Sequence, residues 1–138
     1  MPAQMVMYAY LLMYPKPRVP AHWAVFVTPV EDGTVGQVYH AVGSPFTGYQ
    51  VEVKPSYDLS ETKRAHLLVF LGYIDESWQD QLAESAQSIK APGVSPKPLV
   101  PFAGQNCQNW LEEFLQHLIS VGAIDSSALA QLSTAPRT

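Results

Sequence analysis

Apolar side chains come in short dense blocks in the first half of the chain and in spaced rows in the second. Residues 5–13 (Met-Val-Met-Tyr-Ala-Tyr-Leu-Leu-Met) are almost wholly apolar and predict a strand covered on both faces. Residues 14–20 hold three prolines, which stiffen the backbone and remove donors, so they form a loop that delivers His22. Residues 22–28 (His-Trp-Ala-Val-Phe-Val-Thr) predict a second strand. Glu31, Asp32 and Gly33 signal a turn. Residues 36–42 form the returning strand, which ends at His40 or just beyond. Residues 49–53 alternate as a half-buried strand closed by Pro55, and 67–74 form another buried strand, with Gly72 arguing against a helix.

The spacing then changes to that of helices. Asp75 or Ser77 caps a helix running to about Ile89, with Trp78, Leu82, Ala86 and Ile89 on one side. Residues 90–102 contain four prolines and predict an irregular connection. Asn106 next offers a helix cap. Trp110, Leu111, Phe114, Leu115, Leu118 and Ile119 recur at three- and four-residue intervals, the mark of one buried face, and Gly122 ends that helix. A short helix over 127–132 precedes a tail, about 134–138, expected to be loose. The fold class is α+β: one domain over 1–138, an antiparallel sheet of four to five strands packed against helices.

Composition narrows the partners. Of 138 residues, 47% are hydrophobic and 14% charged, which fits a folded domain. The net charge is −4 and no basic run occurs, so no nucleic acid is expected as a partner. The apolar run 6–13 is too short to cross a bilayer and follows no lysine or arginine, so neither an integral membrane segment nor a secretory signal is expected. The single cysteine excludes an internal disulfide and a cysteine-based zinc site, and the expected location is cytoplasmic. No metal or cofactor is expected, and the oligomeric state is unknown.

The chemistry must come from few groups. Cys107 sits at a helix start, where the dipole favours the thiolate, although a buried gap-filling cysteine is the plainer alternative. Among the four histidines, His117 lies ten residues, roughly 15 Å, down the helix and cannot serve the thiol, and His66 follows Lys63 and Arg64 in a solvated stretch. His22 and His40 lie near the ends of adjacent strands, so pairing of the hairpin brings the rings within hydrogen-bonding reach. Gln105 and Gln108 flank the thiol as possible oxyanion or substrate contacts, or as ordinary solvated residues. Trp23 is a core residue or a wall beside His22.

Three pieces taken together carry a resemblance: His22-Trp23-Ala24-Val25-Phe26-Val27, then Val38-Tyr39-His40, then Asn106-Cys107-Gln108-Asn109-Trp110. The chain resembles the permuted papain-like (NlpC-type) thiol hydrolases and acyltransferases. Within them it is similar to the lecithin:retinol acyltransferase-like, phospholipase/acyltransferase and PPPDE-type proteins. Gln108-Asn109 stands where those families have Glu-His or Asn-His, and Trp110 where they have Phe. The resemblance implies a permuted papain-like fold, Cys107 as nucleophile, His22 as general base and His40 as the residue that orients it. The function so implied is a cysteine-dependent hydrolase or acyltransferase acting on a small-molecule or acyl substrate (amide, ester or thioester) through an acyl-Cys107 intermediate. Two other readings are carried beside it. One is a non-catalytic ligand- or partner-binding module. The other is a biosynthetic tailoring or cyclising enzyme that uses the histidines for acid–base chemistry.

Overall fold

In the computed structural model, which describes residues 5–16, 18–100 and 103–138, five strands and three helices account for most of the chain. Pro17 in the loop before His22, and Pro101 and Phe102 at the end of the proline-rich connection, lie outside the described residues. The strands are β1 (Val6–Tyr14), β2 (His22–Thr28), β3 (Val35–Ser44), β4 (Gly48–Asp58) and β5 (Leu67–Asp75), and the helices are α1 (Gln79–Ser88), α2 (Cys107–Ser120) and α3 (Ser127–Thr134). All strand pairs are antiparallel, in the order β4-β3-β2-β1-β5. The protein is an α+β domain with its helices on one face of the sheet.

Strand alternation sorts the core into two layers. Ala9, Leu11 and Met13, Trp23, Val25 and Val27, and Tyr39 and Ala41 face the helices and pack with Leu82 of α1, Trp110, Leu111, Phe114, Leu115 and Leu118 of α2, and Leu132 of α3. Tyr10, Leu12, Tyr14, Ala24, Phe26 and Val38 face the other way and form a smaller cluster with Leu59. The central strands β1 and β2 are therefore apolar on both faces. α2 is the main cover. Each of its five large apolar side chains is 0% exposed, and burial of one such side chain contributes roughly 1.5–3 kcal/mol.

The ends of α2 are specified locally. The Asn106 side chain accepts from Gln108 N at 2.8 Å, and Asn109 Oδ1 accepts from Asn106 N at 2.9 Å, a reciprocal cap. Gly122, at φ 82°, turns the chain out of the helix, and Ala123 N bonds Leu118 O at 2.8 Å.

Three expectations need correction. β4 does not stop at Pro55 but continues to Asp58, because Pro55 sits on an edge strand where the register shifts opposite Gly36 and Val38. A bulge on an edge needs no donor from proline. β5 is not a buried run. It is the other edge, with Leu67, Leu68, Phe70 and Tyr73 exposed and a bulge where Gly72 takes φ 151°. The tail beyond Thr134 is not loose. Ala21 N donates to Arg137 O at 2.7 Å, Trp23 Nε1 to Pro136 O at 3.3 Å, and the Arg137 guanidinium stacks 4.6 Å over the Trp23 ring. Among the described residues, no helix is long and apolar enough to cross a membrane.

Candidate functional site

The site forms where β2 and β3 part. Their pairing covers only Val25↔Tyr39, Phe26↔Val38 and Val27↔Gln37, whereas β2 stays paired with β1 down to Tyr14↔His22. The first residues of β2 and the last of β3 thus leave a gap in the sheet. His22 and His40 project toward it from the face away from the helices, in line with Ala24 and Val38.

The two rings meet across this gap, with His22 Nε2 and His40 Nδ1 2.8 Å apart. His40 Nε2 lies 2.7 Å from Glu52 Oε1, its direct cross-strand partner in β4. These contacts fix the tautomers. A carboxylate only accepts, so His40 carries its proton on Nε2 and accepts at Nδ1, and His22 donates from Nε2. Among the described residues, His22 Nδ1 is left as the open acceptor of this His22–His40–Glu52 relay. Tyr14 stacks on the His22 ring at 6.1 Å between centroids.

Both imidazoles are neutral. Burial is the largest cause for each. His22 is driven down to about 3 by burial, then by His40 and the cations Lys16, Arg64 and Lys54. His40 is also lowered by burial, against an opposing pull from Glu52. A sign follows for stability. The unfolded chain takes up these protons below its ordinary histidine range, near 6.5, and the folded chain does not. The contribution is therefore full above pH 6.5 and is lost as pH falls from there toward about 3. The urea midpoint is expected to drop between pH 7 and pH 4, and to drop less in the His22→Gln/His40→Gln double variant. Equal slopes in both proteins would show that the rings take up protons as readily in the fold as in the unfolded chain.

Cys107 approaches from the helix side. It is 5% exposed, and its Sγ donates to Ala21 O at 3.6 Å; among the described residues it hydrogen-bonds to neither imidazole. The expected lowering of its pKa by the helix start does not prevail. Burial raises the thiol above its ordinary 9.0 and outweighs the backbone N–H groups of Trp23, Cys107 and Gln108 and the charge of Lys16, all of which favour the thiolate. The thiol is protonated at neutral pH.

Cys107 and His22 nevertheless line one cavity of about 380 Å³, walled by Val19, Phe46, Tyr49, Leu99 and Val100 among others. Gln105 is exposed and lines it. Gln108 does not: it is 3% exposed, its Nε2 donates to Ala21 O at 3.0 Å and to Arg137 O at 2.8 Å, and its Oε1 accepts from Arg137 at 3.4 Å. It ties the tail to α2. Trp23 is 0% exposed in the helix-side core and does not line the cavity of Cys107, because strand alternation turns it away from His22. His66 sits edge-on to Tyr14, and His117 lies on α2 beside Trp78, away from the cavity.

Sequence reasoning missed Glu52. The signal was present in the β3–β4 hairpin. A turn that pairs Ser44 with Gly48 places position 52 opposite position 40. Among the described residues, no group of three or more His, Cys, Asp and Glu side chains is placed to hold a metal ion.

No curated protein and no solved structure matches this chain. Residues 9–125 match a family of unknown function, DUF6540, and the chain belongs to that family.

Proposed function

We propose that this protein is a cysteine-dependent hydrolase or acyltransferase, with Cys107 as nucleophile and His22 Nδ1 as base. One observation carries the reading: a free thiol and a histidine whose other nitrogen is held by a His40–Glu52 chain open onto the same cavity. His40 and Glu52 position the base and stabilise the imidazolium that forms on it. The resemblance to permuted papain-like enzymes supports the same assignment of roles.

The electrostatics set the order of events. Burial holds the thiol protonated and the imidazole neutral, so their resting pair is uncharged. Proton transfer is therefore coupled to attack and does not precede it as a resting ion pair. As Sγ bonds to the acyl carbonyl carbon, its proton passes to His22 Nδ1. That proton then leaves with the departing alcohol, amine or thiol, and water or a second acceptor releases the acyl group. The Cys107 backbone N–H at the helix start and the Gln105 side chain are the available oxyanion donors; Gln108 N is already bonded to Asn106. A lone free thiol suits a reducing compartment such as the cytoplasm.

A second reading, acid–base chemistry by the imidazoles with no acyl-cysteine, is favoured by the hydrogen bond from the thiol to Ala21 O. Mass spectrometry after incubation with p-nitrophenyl acetate and longer-chain p-nitrophenyl esters separates the two. An acyl adduct on Cys107, absent from Cys107→Ala together with turnover, is the expected result. Turnover that survives in Cys107→Ala favours the second reading. Neither adduct nor turnover with any ester removes the first.

A further inference from the structure

His22 has a second side. It also walls a cavity of about 300 Å³ on the sheet face away from the helices, which shares Lys16, His22 and Gly43 with the cavity of Cys107. Lys16, Lys54 and Arg64 stand around it, three of the eight cationic residues in a chain of net charge −4. Among the described residues, the one carboxylate lining it is Glu52, and that group is engaged by His40 at 2.7 Å and approached by Lys54 at 4.0 Å. Among the described residues, Lys16 and Arg64 have no carboxylate within ion-pairing distance. The cations are also held in place. Arg64 stacks 4.2 Å over the ring of Tyr14 and Lys54 lies 4.8 Å over that of Tyr57, while the two phenol oxygens are 3.1 Å apart.

We propose that this outer cavity binds a compact oxyanion, a carboxylate or a phosphate. An unpaired guanidinium fixed by stacking, with lysine ammoniums lining the same cavity, offers charge-assisted hydrogen bonds at little ordering cost. In an otherwise acidic protein, three cations around one engaged carboxylate also draw an anion to this spot. The neighbouring cavity has the opposite character, with exposed Phe46, Leu99 and Val100 at its wall. A substrate lying across His22 would therefore place an apolar acyl group on the Cys107 side and its anionic group on the cationic side. This last step rests on the acyl-transfer reading; the anion site itself does not.

The intact protein is titrated separately with inorganic phosphate and with acetate, at constant ionic strength in chloride, following the ring carbon-bound protons of His22 and His40 by NMR. A saturable shift at His22 with either ion is expected, and the ion that produces it identifies the class. Arg64→Gln and Lys16→Gln should each weaken binding about tenfold, while Lys90→Gln, outside the cavity, should not. No saturable shift with either ion, or binding indifferent to Arg64→Gln, overturns the anion site. Where an anion binds but neutral and anionic p-nitrophenyl esters turn over alike, the link to the substrate of Cys107 is overturned and the anion site stands. Failure of all turnover counts against the acyl-transfer reading alone, since the NMR arm needs none.

Discussion

Trp110→Ala is expected to lower the unfolding free energy by about 3–5 kcal/mol, the range for emptying a large aromatic site in a core. The indole is 0% exposed, stacks on Phe114 with centroids 5.1 Å apart, and donates from Nε1 to Ile89 O at 3.0 Å. One side chain thus joins the start of α2 to the end of α1. Truncation opens a cavity beneath the helix that presents Cys107 and leaves the Ile89 carbonyl without its donor. For a domain of this size the loss corresponds to a fall in melting temperature of roughly 10–15 °C. Trp110→Phe keeps most of the volume and gives up the hydrogen bond, so it should cost about 1–2 kcal/mol. Urea denaturation of the three proteins checks this. A loss below about 1 kcal/mol for the alanine variant would mean that α2 is not the packing centre.

The second large effect is on turnover. His22→Ala removes, among the described residues, the only imidazole that walls the cavity of Cys107, and kcat/KM for a p-nitrophenyl ester is expected to fall about 10³-fold. Glu52→Gln is subtler. The amide oxygen still accepts from His40 Nε2, so the tautomers survive, but the negative charge that stabilises an imidazolium is gone. A loss of about tenfold is expected, with the acidic limb of the rate profile moving to lower pH because the base becomes weaker still. A mere packing role for Glu52 would lower the rate without moving that limb. Unchanged turnover in His22→Ala would dismiss His22 as the base.

Much of the fold was legible because each local signal agreed with its neighbours. The rows of apolar residues in α2, the cap at Asn106 and the stop at Gly122 all fall where one helix needs them. The departures have physical sources. Periodicity cannot tell a central strand from an edge, so the apolar run 67–74 was expected to be buried, yet it lies at the border of the sheet with Leu67, Leu68, Phe70 and Tyr73 in solvent. Proline at 55 looked like a stop because its use in an edge bulge depends on the partner strand. The same limit governs the site. Proximity of His22 and His40 followed from the hairpin, but Glu52 required its register. The state of the thiol depends on how deeply the sheet gap buries it, and no helix-dipole argument contains that quantity. The tail is a tertiary effect of the same kind, held by Gln108 and by the backbone of Ala21.

The short ladder between β2 and β3 has a mechanical consequence. Three residue pairs attach the β3–β4 ribbon to the rest of the sheet, while β3 and β4 are zipped together from Val35↔Asp58 to Ser44↔Gly48. The rest of its hold is tertiary: Tyr39 and Ala41 sit in the helix-side core, Tyr39 packs on Phe114, and the hairpin end is tied to the proline-rich connection by Tyr49 N to Pro92 O and Ser95 N to Pro45 O, both 2.8 Å. His40, Glu52 and Phe46 belong to this ribbon, whereas His22 and Cys107 belong to β2 and α2. The registry between the histidine relay and the thiol is therefore kept by helix packing and these loop ties, in place of strand hydrogen bonds across the gap.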